Sequence, residues 1–426
     1  MRAQNQFRAA AMLFLSLVLV LGAVAAKSAP EPSKPKIRAI TAFVRLDRSH
    51  YKDQIQDALK FLRDAKDAYE KSGYDVQTIR ITTQPFPEYT RGLSEEQTLA
   101  FFREYDALAV KEGFDASIGP AMIKDTDDPR EADLLEKILA DSKTLEGSIF
   151  IGDEDGIHWK SIHAAAGVMK YLEANTLHSQ GNFNFTTSSF VPDGTPFYPA
   201  SYLASEGKRF AIGLQSANVV ADALASTKSP QLAEEHLKAS LTIYAQQVES
   251  TAKEISQSTG WKYGGIDLSP AGLKDVSIGR AIENFLGAPV GTSGTLTTTA
   301  LITRALKAIP VTQAGYSGLM LPVLEDSVLS QRWSEGRLSL DAMLSYSAVC
   351  GTGLDVIPLP GDVSRDQLAA ILGDVASLSV KWHKPLSARL LPVAGKKAGD
   401  QTEFDDPFLV NAKIQPLNFT LVPQEH

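Results

Sequence analysis

Residues 340–362 read LDAMLSYSAVCGTGLDVIPLPGD, a helix running into a sharp glycine turn and then a short apolar strand. At its centre stands the single cysteine, Cys350, followed by Gly351, Gly353 and Asp355. Glycine permits backbone angles and close approaches that a side chain blocks, so Cys350 and Asp355 are expected to face one small space across a tight turn. Val356, Ile357 and Leu359 carry the strand signal, while Pro358, Pro360 and Gly361 shorten the strand or take it out of the sheet by Asp362. Aspartates at the C-terminal edge of strands are where α/β proteins usually build their sites. The alternative is a buried structural thiol beside a loop aspartate.

Upstream, the chain opens on a β-α-β pattern. Residues 36–46, KIRAITAFVRL, read as a strand; 51–72 form a helix with Ile55, Ala58, Leu59, Leu62, Ala65 and Tyr69 on one side; 74–82, YDVQTIRIT, give the second strand. Such a unit is parallel and right-handed. Its first turn has neither glycine fingerprint for nucleotides, so no nicotinamide or flavin is expected. Further helices are predicted over 94–104, 130–142, 157–173, 231–259, 276–285 and 365–379, and strands over 148–152, 209–215, 263–269 and 388–393, with a turn of some strand character at 113–119. The class is α/β.

Charge and composition narrow the partners. The 426 residues hold 42 Lys and Arg against 50 Asp and Glu, a formal charge of -8 that gives no general pull toward nucleic acid. Arg2 and Arg8 precede an apolar run at 9–21 and small residues at 22–26, the order of a secretory signal peptide cleaved after Ala-Val-Ala at 23–25. The expected organisation is a signal peptide at 1–25, a lead at 26–36, one large domain at 37–417 and a tail at 418–426. A periplasmic or secreted protein with no stable membrane span after cleavage follows; an uncleaved anchor is the alternative. A single cysteine offers no intramolecular disulfide, so stability rests on the core.

Several groups are candidates for a site. Residues 182–202, NFNFTTSSFVPDGTPFYPASY, alternate amides and hydroxyls with aromatics, and Asn184 among them could line a pocket for a polar ligand. Asp267 lies within a strand and needs a cation or donors nearby. With Glu283, Glu325, Asp355 and Asp362 it forms a set of carboxylates near element boundaries whose oxygens suit Mg²⁺, Mn²⁺ or Ca²⁺ better than zinc. Asp267, Glu283, Cys350 and Asp355 could instead supply acid, base or nucleophile directly, and ion pairs with Arg280 and Arg304 are the plainer reading. Thr292, Ser293 and Thr295 in the turn GTSGTLTTT open a helix and could hold an anion or simply cap it. Lys396, in GKKAGD, could neutralise a substrate phosphate or carboxylate. His158 and His163 lie about 140° apart around one helix, which disfavours a two-histidine metal site on it.

GGIDLSPAG (264–272), SIGRAIE (277–283), GTSGTLTTTALI (291–302), GYSGLMLPVLED (315–326), YSAVCGTGLDVIPLPGD (346–362) and GKKAGDQTEFDDP (395–407) together resemble the DUF711, or UPF0210, family of uncharacterised proteins. The resemblance implies a large α/β barrel akin to the pyruvate formate-lyase and anaerobic ribonucleotide reductase fold, with Cys350 near its centre. The radical glycine of those enzymes has no counterpart here, since no Arg-Val-x-Gly-aromatic segment occurs near the C-terminus. The expected function is an exported enzyme carrying out metal-assisted hydrolysis or proton abstraction on a small polar or anionic substrate. The alternative is a non-enzymatic binding or assembly protein that uses residues 182–202.

Overall fold

Strand β1 (Lys36–Val44), helix α1 (Tyr51–Lys71) and strand β2 (Val76–Thr83) form the expected opening unit, the strands pairing in parallel from Ile37 against Val76 to Val44 against Thr83. The computed structural model describes residues 34–417, so the leader at 1–25, most of the lead and the tail at 418–426 lie outside the described residues. The apolar stripe read from α1 is the stripe it buries: Ile55, Ala58, Leu59, Leu62 and Tyr69 are fully inaccessible. Helices α2 (Phe86–Thr90) and α3 (Glu95–Glu112) follow, α3 opened by a reciprocal Ser94–Gln97 capping box and closed by Gly113 in the left-handed region.

Residues 113–119, expected as a turn, largely belong to β3 (Asp115–Met122). Gly113 and Gly119 bound that stretch, and the strand absorbs the second as an irregularity: its register against β4 shifts between Ser117 and Pro120, with Gly119 at φ +75°. A Cβ on Gly119 would come within 2.6 Å of the Gln84 carbonyl oxygen, which explains glycine there. The chain continues through α4 (Arg130–Ala140), β4 (Leu145–Asp153), the short β5 (Gly156–Ile157), α5 (Trp159–Asn175), β6 (Phe185–Ser189) and β7 (Arg209–Gln215). Then come α6 (Ala217–Ala225), α7 (Pro230–Thr259), β8 (Lys262–Asp267), α8 (Ile278–Leu286) and α9 (Thr295–Lys307). Helices α10 (Ser327–Ser334) and α11 (Leu340–Ser347), strand β9 (Gly353–Pro360), helix α12 (Arg365–Trp382) and strand β10 (Leu386–Val393) complete the order. No helix among the described residues is long and apolar enough to cross a membrane.

All the strands belong to one mixed sheet of order β8-β7-β1-β2-β3-β4-β6-β10-β9, with β5 paired to β4. From β1 to β6 the neighbours are parallel; β7 is antiparallel to β1 and parallel to β8, and β10 is antiparallel to β6 and parallel to β9. Residues 312–325, which hold most of the apolar motif at 315–326, form no named strand, bend at Gly315 and Gly318, turn at 323–325 and touch both ends of this order. Ile266 N donates to Thr312 O at 2.8 Å and Ala314 N to Ile266 O at 2.9 Å beside β8, while Val323 N donates to Asp355 O at 3.0 Å beside β9. Both terminal strands thus have main-chain groups covered by a single segment, which answers the exposure problem of edge strands.

Side-chain alternation sorts the sheet into two faces. Ile40, Ala42, Ile81, Ala116, Ile118, Ile149, Ile151 and Ile212 point into the main core, where the helices pack. The opposite face carries Thr41, Phe43, Thr82, Ser117, Phe150 and Ala211, and residues 190–204 are tied to it. Thr41 donates to Pro196 O at 3.0 Å, Ser117 to Ser201 O at 2.7 Å and Tyr198 to Ile81 O at 2.6 Å, while Phe150 and Phe43 join small apolar clusters with Phe197 and Leu203. A sheet buried on both faces accounts for the apolar runs in β4 and β9, while the hydroxyls of β2 and β6 fall among its buried polar residues.

Candidate functional site

The second face does not fill completely. A cavity of about 290 Å³ remains beside residues 197–200, and its walls come from the first half of β1, β2, β3, β4 and β6 together with β9, β10 and residues 316–325. That is the opposite end of the parallel strands from the usual α/β site. Three arginines reach it: Arg38 from β1, Arg80 from β2 and Arg389 from β10. Glu146, Glu325 and Asp355 face them.

Two β-bulges aim these charges. Thr41 and Phe43 point to the cavity face, so regular alternation would send Arg38 the other way. Ile37 pairs with Leu214 and Ala39 with Gly213, leaving Arg38 without a counterpart on β7, and this extra residue turns its side chain inward. Between β9 and β10, Leu354 pairs with Ala388 and Ile357 with Leu390, so Asp355 and Val356 together oppose Arg389. Val356 accordingly takes φ +53°, rare for a β-branched residue and costing about 1–3 kcal/mol. The neighbours Leu354 and Asp355 both reach the cavity as a result.

The three guanidinium groups differ in how well they are satisfied. Arg389 donates to Asp355 at 2.7 Å and to Glu325 at 2.9 Å, and lies 4.9 Å over the Phe183 ring. Burial works against its charge, but the two carboxylates outweigh that and hold its pKa above the usual arginine value. Arg80 donates to Thr78 Oγ1 at 3.0 Å, stacks 4.7 Å over Tyr198 and stands 3.9 Å from Asp115. Arg38 donates no hydrogen bond among the described residues; Glu325 is 3.8 Å away and the Phe408 ring 5.8 Å. With its side chain 12 % exposed, burial, the Arg80 charge and the Arg389 charge all lower its pKa against the pull of Glu325.

Of the residues singled out from sequence, the cavity gathers Asn184, Glu325 and Asp355. Asp267 is buried behind Tyr316 and does not line it. Its carboxylate accepts Ser269 N at 3.0 Å, Ser269 Oγ at 2.6 Å, Tyr316 N at 2.7 Å and Ser317 N at 3.0 Å, although burial still pushes its pKa up. A Cβ on Gly315 would collide with that carboxylate, which accounts for the glycine. Glu283 is held on α8 by Arg332, at 3.0 Å to one nitrogen, and by Val290 N at 3.0 Å; burial raises its pKa, but these donors bring it below the usual carboxylate value.

Cys350 is 1 % exposed at the end of α11, accepts Gly353 N at 3.4 Å and is not among the residues lining the cavity with Asp355. Asp362 is exposed in the turn after β9. In the 291–299 turn, Thr292 donates to Pro289 O at 2.8 Å and Thr295 accepts Gly291 N at 3.1 Å, while Ser293 is exposed. Lys396 pairs with Glu403 at 2.7 Å. The carboxylates Asp267, Glu283, Glu325, Asp355 and Asp362 therefore fall into separate places, except that Glu325 and Asp355 share Arg389. Among the described residues no three His, Cys, Asp or Glu side chains form a group suited to a metal ion.

Arg38, Arg80, Arg389 and Glu146 were not among the expected site residues. Their signal lay in IRAIT, TIRIT, SARLLPV and LEGSIF, each with a lone charge inside a strand. Charged side chains are rarely buried without a partner, and these converge on one another.

Comparison with known proteins accords with this architecture without assigning it chemistry. A family described as "Uncharacterised ACR (DUF711)" matches residues 31–407. A UPF0210 protein of Pyrobaculum aerophilum is 30 % identical over 394 residues, covering 88 % of this chain and 86 % of that protein. One from Pyrobaculum arsenaticum is 29 % identical over 393 residues, covering 85 % and 86 %; another, from Listeria monocytogenes, is 25 % identical over 363 residues, covering 81 % and 80 %. With the match running across the sheet and every wall of the cavity except Phe408, the chain belongs to the DUF711 family.

Proposed function

We propose that the cavity binds a small molecule through an oxyanion, a carboxylate or a phosphate-like group, held between Arg38 and Arg80. The observation that carries this reading is the Arg38 guanidinium, mostly buried yet donating no hydrogen bond among the described residues. A mostly buried cation whose ion pair is too long for a hydrogen bond costs free energy. A planar donor edge lying beside a second guanidinium is suited to repay that cost by taking up an oxyanion. Arg389 is the brace: it donates hydrogen bonds to Glu325 and Asp355, leaving Glu325 only a longer 3.8 Å ion pair to Arg38. The small anionic ligand expected from sequence is retained, and its recognition moves from the 291–299 turn and Lys396 to the strand arginines.

A barrel of the pyruvate formate-lyase type is part of the proposal. The two strand directions and the hydrogen bonds from residues 312–325 to β8 and β9 support it, and the cavity would then be the barrel interior. Export behind the leader at 1–25 would set this site among small anions outside the cytoplasm. Metal-assisted hydrolysis at Glu325 and Asp355 would require a cation to displace Arg389 from both carboxylates, so proton transfer is the better-supported of the two expected chemistries.

Calorimetric titration with sulfate and with malonate tests the binding reading. Saturable binding is expected, weakened at least tenfold, or about 1.4 kcal/mol, by Arg38→Ala and by Arg80→Ala, and unchanged by Lys396→Ala. Equal affinities across the arginine variants, or no binding of either anion, would overturn it.

A further inference from the structure

Of the acids lining the cavity, Glu325 and Asp355 hold Arg389, Asp115 stands 3.9 Å from Arg80 and Asp406 sits beside Phe408, while Glu146 has no ion pair among the described residues. It lies on β4 opposite Ser117 of β3, is partly buried, and lines the cavity without accepting a hydrogen bond among the described residues. The charges around it do not release it from that position. Arg80 of β2 exerts the largest attraction of any cation on it, but Arg80 also stands 3.9 Å from Asp115 of β3, itself a like charge to Glu146. Arg389 of β10 pulls less on it and is held by Asp355 of β9 and by Glu325, whose charge also repels Glu146. From residues 190–204 it meets the hydroxyl of Tyr198, which burial keeps protonated. Lys143, just before β4, and Arg38 of β1 also line the cavity.

Partial burial and the Asp115 and Glu325 charges oppose ionisation of Glu146 against the pull of Arg80 and Arg389, and no hydrogen-bond donor among the described residues adds to that pull, which favours the neutral form. Burial pushes its pKa to about 8, with the Arg80 charge pulling against it. We propose that Glu146 stands in the ligand-free protein as a neutral carboxylic acid and donates its proton in a hydrogen bond to the bound oxyanion, coupling anion binding to one proton. The inference rests on the oxyanion reading above and deepens it. A neutral acid supplies a donor where a carboxylate would repel the ligand, so the favoured ligands are fully ionised oxyanions that only accept hydrogen bonds. No covalent bond is made or broken: the proton stays on Glu146 and is shared with the ligand oxygen.

Sulfate does not titrate in the useful range, which makes it the probe. Its affinity is expected to be level from pH 6 to near 8 and then to fall by up to tenfold per pH unit as Glu146 ionises, whereas Glu146→Gln binds sulfate with a flat profile. Infrared difference spectroscopy of the ligand-free protein should show a protonated carboxyl band at pH 7 that Glu146→Gln removes. Arginine-dependent sulfate binding with the same pH profile in wild type and Glu146→Gln overturns this inference alone. Absence of the carboxyl band at pH 7 overturns it as well, whether or not sulfate binds. Sulfate binding that ignores Arg38 and Arg80 overturns the oxyanion reading beneath it.

Discussion

Asp267 and Arg38 are both ionisable side chains lodged in the sheet, and their surroundings are opposite. Asp267 is fully buried and receives four donors from residues 269–317, so that its carboxylate fastens the chain leaving β8 to the segment at 316–317. Arg38 has a cavity in front of it and donors left over. The contrast separates charge that maintains structure from charge held ready for a ligand, and it predicts which substitution damages which property. Asp267→Ala should give the largest loss of stability, about 3–5 kcal/mol, because it abandons several buried N–H groups at once. Urea unfolding would register this as a lower midpoint, with sulfate affinity in the folded protein nearly unchanged. A loss below about 1 kcal/mol would show that the Asp267 network contributes little, and the contrast would fail on that side.

The same distinction divides the arginines. Arg389→Met would strand Glu325 and Asp355 without their shared cation, and about 3 kcal/mol of stability should go with it. Arg38→Met keeps the length of the side chain, leaves Glu325 its bond to Arg389 and removes repulsion from Arg80. It should be neutral or stabilising by about 1 kcal/mol while sulfate affinity falls at least tenfold. Thermal unfolding and calorimetry on the same samples measure the two effects together. If Arg38→Met destabilises as much as Arg389→Met, both arginines are structural and the cavity loses its claim as a site.

Local pattern carried most of the fold. The apolar stripe of α1, the parallel β1–α1–β2 unit and the strands around residues 148, 209, 263 and 388 follow from periodicity and capping alone. Sheet order did not, because it depends on pairings such as β1 with β7 that join residues far apart in the chain. The site was half legible for a related reason. Glu325, Asp355 and Asn184 stand near the ends of strands or segments, where functional side chains are habitually sought. Arg38 reaches the cavity only because a bulge reverses its face, and an alternation count places it with the core-facing residues. Asp267 and Glu283 illustrate the converse: their positions looked catalytic, but main-chain donors and Arg332 take up their oxygens. Residue type and spacing reveal where charge is buried; the partners that satisfy it are set by tertiary contacts.

Glu146 gives an effect that appears only as pH changes, and its sign is the opposite of the familiar acid-labile carboxylate. Its folded pKa, raised to about 8 by burial, lies above the model-peptide value near 4.3 expected when the chain unfolds. Between those limits the folded protein binds more protons than the unfolded chain, so stability falls as pH rises, by up to about 1.4 kcal/mol per pH unit for one fully linked proton. Below the lower limit both states hold the proton, and above the upper limit neither does, so the slope should vanish at each end. Glu146→Gln preserves the shape of the neutral acid and removes the titration. Its stability should therefore match wild type near pH 4 and exceed it increasingly from pH 5 to 8 in urea unfolding series. A wild-type advantage that grows over that interval would mean Glu146 is ionised and paired in the folded protein, which would make it structural in the manner of Asp267 and return the cavity's whole acid set to the satisfied side of the contrast.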